Sequence, residues 1–327
     1  MTTAEILAAF PRYSALVVGD VCLDRLCVYD PAAAEPSRET RIPRLGVIST
    51  EFAPGAGGTV ANNLAALGIG RVAVLGVIGN DGFAWELTRS LNSRAISTDL
   101  LVRSSEIPTF TYTKLVNAAT GVEDQPRVDH IYAQAFPAAV EKEILGYLED
   151  FADSFDVIFV SDQSETKHGG VVTGAVRERL AGIAEANPAK VIWVDSRIRI
   201  ERFRKMILKP NEQEADTASI ALFGKVDYQR LRAHGESKLL FVTKSAQGTL
   251  VIEENGETLV PTKAVEKPVD ICGAGDSFSA GAAIALAITG SATDAARFGN
   301  LVASITIMKA GTGSASPAEM LAAAAGQ

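Results

Sequence analysis

Cysteine is scarce: Cys22, Cys27 and Cys272 are the only three in 327 residues, and no two are spaced as C-x-x-C. An odd count without paired spacing argues against a disulfide framework or a thiolate zinc site, so all three read as ordinary thiols. Histidine is as sparse, with His130, His168 and His234 far apart. That leaves little material for a histidine-rich metal site or a His-based triad. Positive charge is in deficit, 31 Lys and Arg against 39 Asp and Glu, for a formal net charge of −8. A nucleic-acid surface needs clustered cations, so no nucleic-acid partner is expected and a small molecule is. No apolar run approaches the roughly 18 residues of a membrane span, and no membrane partner is expected. The opening "MTTAEILAAFPRYS" puts Glu5 where a secretory signal carries positive charge and ends its apolar run at Pro11, so a cytoplasmic location is expected. Two phosphate-binding strings are also missing. No G-x-x-x-x-G-K-[ST] occurs, and "GVIGND" (76–81) gives G-x-x-G with no ribose-binding acid at the usual distance, which disfavours a nicotinamide dehydrogenase.

What is present is a rhythm. "ALVVGDV" (15–21), "DVIFVSD" (156–162), "KVIWVDS" (190–196) and "KLLFVTK" (238–244) are short β-branched runs ending in a polar residue. Such runs suit strands covered on both faces. Helical candidates lie between them, at 139–152, with Ile144, Leu145 and Leu148 on one side, and at 171–187. The alternation predicts an α/β fold with a doubly wound, mostly parallel sheet flanked by helices. Functional groups then gather beyond the carboxyl ends of the strands, where Asp20, Asp162, Asp195 and Lys244 fall. Residues 24–54 and 97–135 break the rhythm with alternating stretches such as "TFTYTKLVN", and are expected to form a small inserted β-sheet lid. The Ala-rich tail after Pro317 is expected to fray.

The chemistry is concentrated in loops. "DICGAGD" (270–276) sets Asp270 and Asp276 on either side of Gly273, Ala274 and Gly275, just before the Ala-rich "SFSAGAAIALAI". A glycine pair ahead of a helix aims backbone N–H groups at one spot, and the helix start adds partial positive charge. Asp276 at its edge is placed to take a proton from an alcohol while those amides hold the charge of a transferred phosphoryl group. "PGAGGTVANNLAALG" (54–68) and "GVIGNDGFAWELTRSL" (76–91) are each Gly-rich and then helical, and "KPNEQEA" (209–215) spaces Asn211 and Glu214 three apart after a proline.

In order and spacing these segments resemble the PfkB or ribokinase family of carbohydrate kinases, over nearly the whole chain, so 1–327 is read as one ribokinase-like kinase domain. The resemblance implies Asp276 as general base, the amides of Gly273, Ala274 and Gly275 as anion hole, and ATP with Mg²⁺ as donor. It implies that Asn211 and Glu214 position magnesium and phosphates through water. Thr243, Lys244 and Gly248 of "TKSAQG" would lie beside the nucleotide, with Asn300 and the "KAGTG" loop (309–313) around its base. Asp270 is similar to a position that in many members helps bind a monovalent cation, which admits K⁺.

On the acceptor side, Asp24 matches a position that hydrogen-bonds sugar hydroxyls, a role that suits a carboxylate accepting from a diol. Gly55, Gly57, Gly58, Thr59 and Asn63 fall in the family's sugar-binding glycine segment. Here the chain departs from the pattern: Ala56 replaces a glycine and Thr59 stands where a sugar-binding Asn is usual. A partial likeness to the heptose 7-phosphate kinase half of bacterial ADP-heptose synthases points to a sugar phosphate. A catalytically impaired sugar- or nucleotide-binding regulatory protein and a nucleoside kinase of the same family are the alternatives. A lid of this kind exposes sheet edges, and pairing two lids in a homodimer would cover them.

Overall fold

In the computed structural model, which describes residues 1–263 and 265–326, strand and helix alternate along the chain. The elements run α1 (Thr3–Ala9), β1 (Ser14–Gly19), β2 (Val21–Pro36), β3 (Pro43–Ala56), α2 (Gly57–Ala66), β4 (Arg71–Gly79), α3 (Gly82–Asn92), β5 (Ile96–Ser104), β6 (Thr111–Asn117) and β7 (Val128–His130). They continue α4 (Ala138–Phe151), β8 (Val157–Asp162), α5 (Gly174–Ala186), β9 (Val191–Ser196), β10 (Ile207–Leu208), α6 (Glu212–Phe223), α7 (Tyr228–His234), β11 (Leu240–Thr243), β12 (Thr249–Glu253), β13 (Gly256–Val260), α8 (Ala274–Thr289), α9 (Ala292–Thr306) and α10 (Pro317–Ala325).

The four apolar runs read from the sequence are β1, β8, β9 and β11. They lie in one sheet of order β13-β12-β11-β10-β9-β8-β1-β4-β5. Every pairing from β11 to β5 is parallel, and β12 and β13 run antiparallel at the edge. Alternate residues of each strand enter two cores. Val17, Phe159, Trp193 and Phe241 pack under α2, α8 and α9; Leu16, Val160, Val194 and Val242 pack under α4, α5 and α6. Burial on both faces is what prints an unbroken apolar run in the sequence. Helix α8 is itself enclosed, from Ser277 to Leu286, because its Ala and Gly residues let α2, α9 and the sheet approach closely. That packing fixes where its N-terminus points.

Four strands form the smaller sheet, in the order β3-β2-β6-β7. Its long arm is β2 paired antiparallel with β3, from Val21 opposite Ala56 out to Pro36 opposite Pro43. The expected lid boundaries need one correction. Residues 97–104, placed in the small sheet from sequence, belong to β5, the outer strand of the large one, which pairs parallel to β4. Leu100 and Val102 turn into one core and Leu101 into the other, a burial that no lid strand would give. The tail after Pro317 is also corrected. It forms α10, started by a reciprocal Ser316–Glu319 capping box and held by Met320, which is wholly buried. Among the described residues no helix is long and apolar enough to cross a membrane.

Candidate active site

Helix α8 begins without a side-chain cap: Gly273, at φ 77°, turns the chain into its first residue Ala274. First-turn N–H groups have no intrahelical acceptor, so an uncapped start presents donors and partial positive charge. The Ala274 N–H is the exception, donating to Ile271 O at 3.2 Å as the turn closes. The hole expected from Gly273, Ala274 and Gly275 therefore lacks its middle amide. Asp276 stands in this first turn, half-buried. Burial, with Asp195 adding to it, pushes its carboxyl up to about 7, although Lys209 and Arg197 pull the other way. A carboxylate poised near neutrality suits a general base.

Sequence reasoning overlooked Lys209. Its ammonium is buried, 2.7 Å from Asp195 Oδ2 at the end of β9. A side chain at residue 275 would place its Cβ 3.2 Å from Lys209 Nζ, so the ammonium lies against the start of α8. The only signal in the sequence was a lysine directly before Pro210 and Asn211.

Asn211 and Glu214 form a reciprocal capping box on α6. The Glu214 N–H donates to Asn211 Oδ1 at 2.9 Å, and the Asn211 N–H donates to Glu214 Oε2 at 2.8 Å. Burial and Asp195 raise the Glu214 carboxyl, with Lys209 opposing. Among the described residues no three His, Cys, Asp or Glu side chains are grouped to hold a metal ion alone. Glu214 keeps one free oxygen, which fits a magnesium ion held through water and phosphate oxygens. The neighbouring turn is tied on: Thr243 N–H donates to Pro210 O at 3.1 Å, and Lys244 Nζ lies 2.8 Å from Glu212 Oε1. Gly248, at φ 100°, brings this turn against Val260 and Thr262. Those residues line a cleft of about 460 Å³ between β13 and α9, with Asn300 in its wall. Asn300 does not offer its amide to that cleft: Oδ1 accepts from Thr249 Oγ1 at 2.8 Å, and Nδ2 donates to Val260 O at 3.0 Å. Asp270 joins two loops, accepting from Cys272 N–H at 2.9 Å and from Gly311 N–H at 3.1 Å.

On the other side of α8, Asp24 projects from β2 with its carboxyl raised by burial and lowered by Lys114 and Arg127. A Cβ on Gly55 would fall 2.5 Å from Asp24 Oδ2, so glycine here makes room for the carboxylate. Gly57 and Gly58 pack on Asp20 and Pro54. Thr59 is buried and donates to Pro54 O at 3.3 Å, so its proton is engaged; its methyl abuts Gly273. Asn63 is fully buried in α2; its Nδ2 donates to Thr59 O at 3.0 Å, and its Oδ1 has no hydrogen-bond partner among the described residues. Ala56 adopts φ 53°, ψ −124° and lines a small cavity with Asp20, Cys22, Tyr112 and Gln163. Asp20 latches the facing loop by accepting from the N–H groups of Gln163, Ser164 and Val171. Lys167 is exposed on that loop.

Residues 20–319 match the model of the pfkB family carbohydrate kinases. The chain belongs to the PfkB family. It is a carbohydrate kinase, a phosphotransferase. It is 31% identical to the bifunctional protein HldE of Geobacter metallireducens across 97% of its own length and 64% of that protein's, and likewise 31% identical to HldE of Citrifermentans bemidjiense across 98% and 66%. The chain thus spans about two thirds of the length of these curated relatives. Among solved structures it superposes on ribokinase from Thermotoga maritima with a TM-score of 0.69 at 21% identity, covering 95% of this chain and 99% of that one. Arabidopsis thaliana ribokinase, complexed with ribose and ATP, gives 0.70 at 15% identity over 95% and 98%. These place the PfkB chain in the ribokinase fold.

Proposed function

We propose that this PfkB kinase transfers the γ-phosphoryl group of ATP to a hydroxyl of a sugar or sugar phosphate. The observation that carries the reading is Asp276, poised near neutrality in the first turn of an uncapped helix. Asp276 takes the hydroxyl proton, the acceptor oxygen bonds to the γ-phosphorus, and the bond to the β–γ bridging oxygen breaks with its electron pair leaving on ADP. The α8 first-turn amides hold the charge on the transferred group. Magnesium, when bound with ATP beside Glu214, supplies charge neutralisation of the phosphates. Asp270 and its loop are the candidate for a K⁺ contact, and the turn at Thr243, Lys244 and Gly248 for the nucleotide.

On the acceptor side, Lys114 and Arg127 act on Asp24 and Arg197 acts on Asp276. Cations acting on both carboxylates favour a sugar phosphate, and the resemblance to ADP-heptose synthases puts a heptose 7-phosphate first. A cytoplasmic enzyme, dimeric through its lid, completes the reading. The dimer is supported by exposed Ile42, Leu45, Val47 and Ile48 at or beside the edge strand β3.

One observation favours a second reading, a regulatory protein that binds without turnover: the Thr59 proton, where a sugar-binding Asn is usual, is turned to Pro54 O. The test is acceptor-dependent ADP release across sugars, sugar phosphates and nucleosides with Mg²⁺ and K⁺. Release with one of them supports the kinase; tight nucleotide binding with no release from any supports the regulator. Light scattering at working concentration measures the dimer, and a monomeric mass overturns it.

A further inference from the structure

We propose that Lys209 is a catalytic residue of this kinase, whose ammonium, parked on Asp195, moves onto an oxygen of the phosphoryl group in flight. The inference rests on the kinase reading above and adds to it a cation from the protein's own side chains.

Three observations carry it. First, the ion pair lies where ligands bind in open α/β sheets, at the carboxyl ends of strands: Asp195 belongs to the last turn of β9, and Lys209 directly follows β10. Second, Lys209 Nζ stands against the start of α8, 3.2 Å from where a Gly275 Cβ would be. A helix N-terminus attracts anions and repels cations. Asp195, Glu214 and Asp276 outweigh that repulsion and keep the ammonium charged, so a cation stands beside the place where those amides would receive a phosphoryl group. Third, Lys209 is central among acids, with Asp195, Glu214 and Asp276 all acting on its charge. One carboxylate suffices for a structural pair. A cation acted on by three, two of which flank the proposed path of the phosphoryl group, can pass from Asp195 towards that path without losing its carboxylate neighbours.

In the reaction Lys209 neither gives nor takes a proton. The acceptor proton goes to Asp276, the electron pair of the broken P–O bond leaves with ADP, and Lys209 meets the negative charge spread over the phosphoryl oxygens.

The test uses two variants of the full chain. Lys209→Gln keeps a hydrogen-bond donor for Asp195, and Lys209→Met with Asp195→Asn removes both charges so that neither is buried alone. Thermal melting establishes that each is folded. Binding of MgADP and of a non-hydrolysable MgATP analogue is measured by calorimetry, and kcat with the acceptor found above. The expected result is a kcat loss of about 10²- to 10³-fold in both variants. The analogue should bind roughly tenfold more weakly, with ADP affinity unchanged. A purely structural lysine predicts the opposite for the double variant, with kcat and analogue binding restored along with the fold, and that result overturns the proposal. Where no acceptor turns over, the analogue-against-ADP comparison decides. A wild-type chain that binds no adenine nucleotide overturns the kinase reading and this one together. A wild type that binds and turns over while the folded variants match it overturns Lys209 alone.

Discussion

Asp162 and Arg199 form an ion pair closed to solvent, with Nη1 3.1 Å from Oδ1 and side chains 0% and 5% exposed. Asp162 also accepts from Ser196 Oγ at 2.6 Å, and Arg199 Nη2 donates to the carbonyls of Ser164 and Thr166. The pair therefore clamps the loop that Asp20 latches from its other side. Arg199→Met leaves a buried carboxylate unpaired and should cost about 3–5 kcal/mol, read from denaturant midpoints. Arg204→Met breaks only exposed contacts, to Glu178 and Glu236, and should cost less than about 1 kcal/mol. Equal costs for the two would refute the clamp.

Asp276→Asn should reduce turnover by about 10²- to 10⁴-fold with nucleotide binding retained. The same change should stabilise the fold at pH 8. A carboxyl whose folded pKa is raised makes ionisation cheaper in the unfolded chain, so the charged form destabilises the native state above pH 7. That cost disappears as pH falls towards the ordinary carboxylate range. The gain expected from Asn is roughly 1–3 kcal/mol at pH 8 and near zero at pH 4. Melting curves at the two pH values check it; a variant less stable at both contradicts the assignment.

The profile of kcat/KM should rise with pH through about 7, as Asp276 loses its proton in the free enzyme. Arg197→Gln removes a cation that lowers this carboxyl, so its rising limb should move to higher pH. Asp195→Asn removes an anion that raises it, so that limb should move lower. Limbs that stay fixed in both variants would mean that a group other than Asp276 sets the profile.

Ala56 holds φ 53° with ψ −124°, a conformation open to glycine at little cost and strained for any side chain. Ala56→Gly should therefore stabilise the protein by about 1 kcal/mol, the strain relieved less the entropy glycine adds to the unfolded chain. It also removes a methyl group from the wall of the small cavity beside Asp20. Chemical denaturation measures the first effect, and a lowered midpoint would show that the backbone there is not strained.

Strands buried on both faces were legible in the sequence because such burial leaves an unbroken apolar run, as in β1, β8, β9 and β11. Helices α4 and α5 were legible within a few residues. The outer strand β5 was not, because Ile96–Ser104 carries Ser, Thr, Asp and Arg among its apolar residues and resembles a lid strand. The DICGAGD loop announced an uncapped helix start, and α8 has one; that the Ala274 N–H would be engaged by Ile271 O was not legible, because it depends on how the turn closes. Asp195 and Lys209 were illegible as a pair, since their meeting depends on the two-residue strand β10 lying beside β9. The direction of Asn300 was illegible for a similar reason, set by Thr249 and Val260 brought near by the fold, whereas Thr59 and Asn63 turn to carbonyls five and four residues back in the chain.

The large sheet and the small sheet are joined at four crossings, three of which lie side by side. Only Asp20 separates β1 from β2, β3 runs into α2 at Ala56, and β6 arrives from the segment ending at Phe110; the fourth runs from β7 to α4. Gly57 N–H donates to Asp20 O at 2.9 Å, and Leu23 N–H donates to Phe110 O at 2.8 Å, so the crossings are stitched together. The root of the small sheet is therefore held to the large one. Asp24 stands beside that root, whereas the end of the β2–β3 arm at Pro36 and Pro43 is exposed and farthest from it. The carboxylate proposed to meet the acceptor is thus carried on the part of the small sheet that the large sheet holds.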